Sequence, residues 1–219
     1  WSGDWSSDVC SSDLIYKLNN GNSNGIVKVY NYNDYLIFEG EYLNGKKHGK
    51  VKEYNDNGKL IFEGEYLNGK KEGKGKEYNE GYLKFEGKYS NGYREKGTEY
   101  HGKLIIKGDY LYDHKQKGKE YNEDNLIFEG EYLYELRHGK GKEYNNDKLI
   151  FEGEYKDGKR NGKGKEYNDN DKLIFEGEYL NGYKKNGKEY DNNDNLIFEG
   201  EYSNGIRNGK GKNIILKKN

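Results

Sequence analysis

Residues Leu60 to Tyr78 read LIFEGEYLNGKKEGKGKEY. The first eight alternate with period two, so Leu60, Phe62, Gly64 and Tyr66 share one face of an extended chain and Ile61, Glu63, Glu65 and Leu67 share the other. Asn68-Gly69 follows, a dipeptide that tolerates positive φ and so closes a tight hairpin between two strands. Lys70 to Lys74 then lead into a second strand, Gly75 to Tyr78. The stretch therefore predicts one β-hairpin.

The same hairpin recurs along the chain. Its Phe position is occupied by Phe38, Phe62, Phe85, Ile106, Phe128, Phe151, Phe175 and Phe198, at spacings of 21 to 24 residues. The second strand ends on Tyr54, Tyr78, Tyr100, Tyr121, Tyr144, Tyr167 and Tyr190, with Asn213 and Ile214 at the last unit. Eight units thus begin at Leu36, Leu60, Leu83, Leu104, Leu126, Leu149, Leu173 and Leu196. A degenerate copy over residues 15–35 precedes them, its Asn20 to Tyr30 aligning with Asn44 to Tyr54. Turns rich in Asn and Asp, such as Glu123 to Asn125 and Asp191 to Asn195, return the chain to the next unit. Connections this short force an antiparallel meander.

Glycine adds geometry to the pattern. Gly75 and its equivalents stand three residues before the second Tyr, with Val51 the exception. A further Gly two residues earlier, as at Gly49, Gly73, Gly139, Gly162 and Gly209, marks units whose hairpin is one residue longer. A residue inserted inside a strand would turn every later side chain to the other face, so the extra length must sit in the turn or in a Gly bulge. Gly64 lies between two large apolar residues of its face, and its missing side chain leaves room for an aromatic ring from the neighbouring strand.

Composition agrees with a sheet. The 219 residues are 31% hydrophobic and 35% charged, with 32 Gly, 24 Tyr and no Pro. Such a balance would suggest disorder were the apolar residues not placed at fixed intervals. The net charge of -1 gives no global attraction to nucleic acid or to a membrane. One cysteine, Cys10, excludes a disulfide framework and a multi-cysteine metal site. Residues 1–14 hold both Trp residues and Cys10, lack the repeat spacing, and read as a foreign or unstructured tail. The chain contains no Met, which suggests a truncated gene product.

The motif aromatic-x-Gly-x-aromatic-x-x-Gly-Lys-x-x-Gly-x-Gly, carried here by Phe62, Gly64, Tyr66, Gly69, Lys70, Gly73 and Gly75, resembles the MORN repeat. Its marker residues recur at Phe38, Gly40 and Tyr42; Phe128, Gly130 and Tyr132; Phe151, Gly153 and Tyr155; Phe175, Gly177 and Tyr179; and Phe198, Gly200 and Tyr202. The resemblance covers the chain from about Ile15 onward. The Asn-Gly-Lys-Leu joints and Lys-Glu-Tyr endings are more similar to the MORN-variant repeats of bacterial and viral proteins, among them the YwqK-family antitoxins. The Trp usual in the first strand is Tyr in every copy, a departure from the eukaryotic branch. The resemblance implies an all-β chain whose tandem hairpins form an elongated, twisted, single-layer antiparallel sheet, each hairpin touching only its neighbours. It further implies a non-enzymatic scaffold, in the cytoplasm or at a membrane periphery. At the far end Asn213, Ile214, Ile215 and Leu216 read as a more apolar last strand, and Lys217 and Lys218 beside it are expected to discourage aggregation of the exposed edge, the alternative being end-to-end dimerisation.

Catalysis needs unlike residues converging in a pocket, whereas this chain repeats a few residue types along its length. No nucleophile-base pair stands out, and no cofactor, metal or small-molecule substrate is expected. His48, His101, His114 and His138 read as solvated, His48 and His138 sharing one turn position. Asp169, Asn170 and Asp171 lack the Gly and distal Glu of a calcium loop. The repeated Glu39 and Glu41 mark an exposed charged ladder. No nucleic-acid module is visible. Charge is nonetheless segregated, the hairpin turns collecting Lys and Arg while the return connections are net acidic. Lys46, Lys47, Lys70, Lys71, Lys159, Arg160, Lys184, Lys185 and Arg207 are therefore expected to line a basic edge facing an acidic partner, whether a protein such as a toxin or anionic lipid headgroups. The alternative is that these cations only solubilise the turns.

Overall fold

The computed structural model describes residues 15–18, 24–208 and 211–213. The expected tail at residues 1–14, Cys10, Gly209 and the apolar close at Ile214 to Lys218 lie outside them. Every regular element among the described residues is a strand, and every strand pairing is antiparallel. The chain forms two compact units that divide between Tyr93 and Arg94.

The first unit is a meander of β1 (Ile15–Leu18), β2 (Gly25–Tyr30), β3 (Leu36–Leu43), β4 (Lys46–Tyr54), β5 (Leu60–Leu67), β6 (Lys70–Asn79) and β7 (Tyr82–Ser90). The second starts with β8 (Tyr93–His101) and continues through β9 (Leu104–Leu111), β10 (His114–Asn122), β11 (Asn125–Leu133), β12 (Leu136–Asn145), β13 (Lys148–Lys156), β14 (Lys159–Tyr167), β15 (Leu173–Leu180), β16 (Tyr183–Tyr190) and β17 (Leu196–Ser203). β17 then pairs with the short β18 (Ile206–Arg207) and β19 (Lys212–Asn213).

The hairpin turns are two-residue turns with both residues at positive φ, as at Asn68 (52°) and Gly69 (84°). Asn is the non-Gly residue best suited to this conformation, and Gly adopts it freely. Four return turns use an Asx device instead, while others, as at Glu80-Gly81 and Asn146-Asp147, are again two-residue turns at positive φ. The Asn55 side-chain oxygen accepts the amide N–H groups of Asn57 and Lys59, and Asp191 does the same for Asn193 and Asn195.

The extra glycine sits in a bulge rather than in the turn. Gly64 pairs with Gly75 and Tyr66 with Lys71, so the intervening stretch of β6 is longer than that of β5, and Gly73 absorbs the difference at φ 72°. The shorter hairpins also carry a bulge, between Lys115 and Lys117 for example. Either form keeps the cation after the turn on the face that holds Phe and Tyr.

That face is the core. Phe85, Phe128, Phe151 and Phe175 are fully buried, and Tyr89, Tyr155 and Tyr179 nearly so. Burial is reached inside one layer because each Phe meets the Tyr two turns of pleat further along its own strand and the Tyr of the following hairpin. Phe151 lies edge-on to Tyr155 and to Tyr179, with ring centroids 5.7 Å and 5.2 Å apart. Such pairs contribute about 0.5–1.5 kcal/mol each beyond area burial. The glycines make room for the rings, with one change from expectation. The ring over Gly64 is that of Phe62 from the same strand, and it also covers Gly75 on the next. The neighbouring strand supplies Tyr89, which lies over Gly75.

Candidate functional site

The two faces of the sheet differ in what they leave available. On the aromatic face the second cation after each turn lies across the Phe ring: Lys71 is 4.0 Å above Phe62, Arg160 4.0 Å above Phe151 and Lys184 4.1 Å above Phe175. The Glu one residue before the second Tyr completes the arrangement. Tyr155 donates its hydroxyl to Glu143 of the preceding hairpin at 2.5 Å, and Arg160 binds the same carboxylate through two nitrogens, at 2.9 and 2.7 Å. Arg160 also reaches Glu166 of its own hairpin at 3.0 Å. Tyr132 and Arg137 treat Glu120 in the same way, and Tyr202 and Arg207 treat Glu189.

The electrostatics follow from this packing. Burial opposes the charge on Glu143, but the Arg160 and Tyr155 hydrogen bonds and the Arg160 charge outweigh it and hold the carboxyl below its usual range. Burial and the adjacent carboxylate push the Tyr155 hydroxyl well above its ordinary value. This face spends its polar groups on itself.

The opposite face carries the charge ladder. First strands of the hairpins present pairs of Glu and second strands pairs of Lys, so successive strands alternate in sign. Lys119 bridges Glu129 at 2.9 Å and Lys142 lies 3.8 Å from Glu152. The second-strand tyrosines brace the ladder: Tyr78, Tyr167 and Tyr190 donate to Glu63, Glu152 and Glu176, and burial with those carboxylates pushes each hydroxyl up to about 12. Between the two charged rows the glycine backbone forms the floor of a groove. The first unit holds one such groove of about 770 Å³ and the second unit another of about 890 Å³. Two first strands break the alternation, and in β7 Lys88 lies directly opposite Lys74. Lys107 of β9 stands where other hairpins have Glu, directly opposite Lys119 and Thr98.

The nine expected edge cations separate along these lines. Lys47, Lys71, Arg160, Lys184 and Arg207 turn onto the aromatic face and are held there by Glu53, Glu77, Glu143 and Glu166, Glu166, and Glu189 respectively. Lys46, Lys70, Lys159 and Lys185 are exposed, Lys185 within 3.4 Å of Glu178. Period two after the turn was the available signal, since adjacent residues such as Lys46 and Lys47 must point to opposite faces. The acids Glu53, Glu77, Glu120, Glu143, Glu166 and Glu189 were not singled out from sequence, although the same count places each on the Phe face.

The histidines need a correction. His48 and His138 lie in the second strand at the bulge, paired with Glu41 and Glu131, and are half-buried with Nδ1 shielded from solvent, not in a solvated turn. No group of three or more His, Cys, Asp or Glu among the described residues is placed to hold a metal ion. No helix among them is long and apolar enough to cross a membrane.

A family model described as the MORN repeat matches residues 38–58, 62–81, 128–148, 151–172 and 198–212. Each matched segment starts at the Phe of one hairpin, so family motif and structural unit coincide. No curated protein matches the chain.

Proposed function

We propose, from these five MORN repeats, that the chain is a non-enzymatic scaffold that binds another protein through its charged face. MORN repeats generally serve as interaction scaffolds for proteins or membranes. The observation that carries the reading is the division of labour between faces. The aromatic face is occupied by its own Lys, Arg, Glu and Tyr, whereas the charged face combines solvated Lys and Glu with a groove whose floor is bare backbone. A protein surface with its own alternating charges fits such a ladder, which rewards complementary pairing and rejects like-charge partners. Lysine-directed cross-linking of the full chain with a partner recovered from expressing cells should join Lys140, Lys142, Lys163 and Lys165 to that partner. Cross-links that avoid this face would refute the placement.

A narrower form follows from the YwqK-like endings of the repeat: the partner is a toxin and this chain its antitoxin. Co-expression with the neighbouring gene product should then restore growth, and failure to do so removes this form while leaving the scaffold. The second reading, peripheral attachment to anionic lipid, is favoured by the exposed Lys46, Lys70, Lys159 and Lys185. It requires binding to anionic vesicles that is lost at high salt.

A further inference from the structure

Two adjacent hairpin tips in the second unit break the rule that the others follow. Elsewhere the turn is Asn-Gly or Asp-Gly. Between β9 and β10 it is Tyr112-Asp113, at φ 50° and 66°, and between β11 and β12 it is Tyr134-Glu135, at 50° and 62°. A bulky residue in the left-handed region costs roughly 1–2 kcal/mol, so Tyr112, Tyr134 and Glu135 place in neighbouring turns a local strain that Asn-Gly would avoid.

The acids have a structural reason. At the regular tips the turn Gly donates its N–H to the preceding hairpin, as Gly158 does to the Arg137 carbonyl at 2.9 Å. At the two exceptional tips the acidic side chain makes the link instead. Asp113 accepts the Arg94 amide at 2.7 Å, and Glu135 accepts the Lys115 amide and ammonium, both at 3.3 Å. Tyr112 is 66% and Tyr134 79% exposed, and Leu111, Leu133 and Leu136 beside them are also exposed.

The next tip has the opposite character. Lys156 and Lys159 face each other directly across the hairpin between β13 and β14, and both are exposed. Like charges in directly opposed positions destabilise a hairpin. Leu136 packs toward Gly158 of that turn, so the apolar and cationic tips adjoin. Successive hairpins are two strand spacings apart, about 9.6 Å, and the three tips span about 20 Å. An extended segment of about six residues covers that distance.

We propose that these three tips form a docking surface for a short segment of a protein partner, apolar where it meets Leu111, Tyr112, Leu133, Tyr134 and Leu136 and acidic where it meets Lys156 and Lys159. Tyrosine is the side chain that such contacts favour, with large area at little entropy cost. The segregation of the surface selects a discrete partner over a bilayer. A lipid surface is laterally uniform, and an anionic one would press its charge against Asp113, Glu135 and Asp157 as well as against the two lysines. The proposal rests on the scaffold reading and places the contact at the hairpin-tip end of the charged face, away from its groove.

The test uses the full chain and fluorescently labelled octapeptides: one with a Leu-containing half followed by a Glu-containing half, and its twin with Lys in place of Glu. The Glu peptide should bind with about ten-fold preference. Tyr112→Asn with Tyr134→Asn should weaken it by about ten-fold, as loss of an aromatic anchor does, with thermal stability kept or raised. Lys156→Gln with Lys159→Gln should abolish the preference, and Lys103→Gln with Lys148→Gln, exposed lysines at return turns, should leave it intact. Equal binding of both peptides, no binding at millimolar concentration, or indifference to the Tyr variants overturns the proposal. So does binding to phosphatidylserine vesicles, or self-association of the chain, that the Tyr variants remove. Cross-links to Lys140 and Lys163 that persist in the tip variants leave the scaffold reading standing by itself.

Discussion

Replacing Arg160 by Met tests whether cation, carboxylate and ring act together on the aromatic face. Met keeps an apolar stem over Phe151 but removes three charge-assisted hydrogen bonds, two to Glu143 and one to Glu166. Glu166 retains Lys184 at 2.7 Å, so the group that loses most is Glu143, left with the Tyr155 hydroxyl and the charge of Arg137. Breaking a fully buried ion pair costs about 3–5 kcal/mol, and an exposed one about 0.2–1 kcal/mol. The Arg160 side chain is 24% exposed and that of Glu143 20%, which calls for a discount to roughly 2–3 kcal/mol. The sign with pH is fixed by the lowered carboxyl of Glu143. Its contribution is complete above the ordinary value of 4.5 and is lost as pH falls through the lower folded value. The penalty of the variant, read by urea unfolding at a series of pH values, should therefore shrink on acidification. Arg160→Lys should recover more than half of the loss, because Lys71 and Lys184 fill the same place in other hairpins. A neutral-pH penalty below about 0.5 kcal/mol, which is the scale of an exposed pair, or one that does not change with acid, would refute the reasoning.

Gly141→Ala should cost about 1–3 kcal/mol by overpacking, because a β-carbon there would stand 2.6 Å from Phe128 and 3.0 Å from Tyr155; chemical denaturation measures it, and a neutral result would mean that the ring does not lie on the glycine. Tyr134→Asn should raise the unfolding temperature, with a gain of about 0.5–1 kcal/mol from relief of the strained turn, as a thermal melt will show. Alkaline pH should unfold the chain: buried Tyr132 and Tyr155 have raised pKa values, so the stability they lend is complete below about pH 10 and falls as pH rises toward their folded values. Tyrosinate absorbance that develops at the same pH in folded and urea-unfolded chain would contradict this.

The hairpins were legible in the sequence because two local signals agree at every copy: alternation that sets the face, and a turn dipeptide that sets the register. What the chain does with its charge was less legible, because a net count over a segment discards orientation. Lys46 and Lys47 contribute equally to a basic edge in a sum, yet the pleat sends one to solvent and the other over Phe38. Strand alternation alone could have divided them, but only knowledge that a single layer must cover its own aromatic face explains why the inward cation is kept. The same requirement accounts for the Glu of each second strand. Glu143 serves Tyr155 and Arg160 of the next hairpin, just as Glu120 serves Tyr132 and Arg137. Each hairpin is thus incomplete without its successor, and the stability of the array is carried by links between neighbours. That dependence gives the deviations their meaning. Tyr112, Tyr134 and the Lys156–Lys159 pair strain or repel locally and gather on three consecutive tips, where a partner can offset what the fold does not.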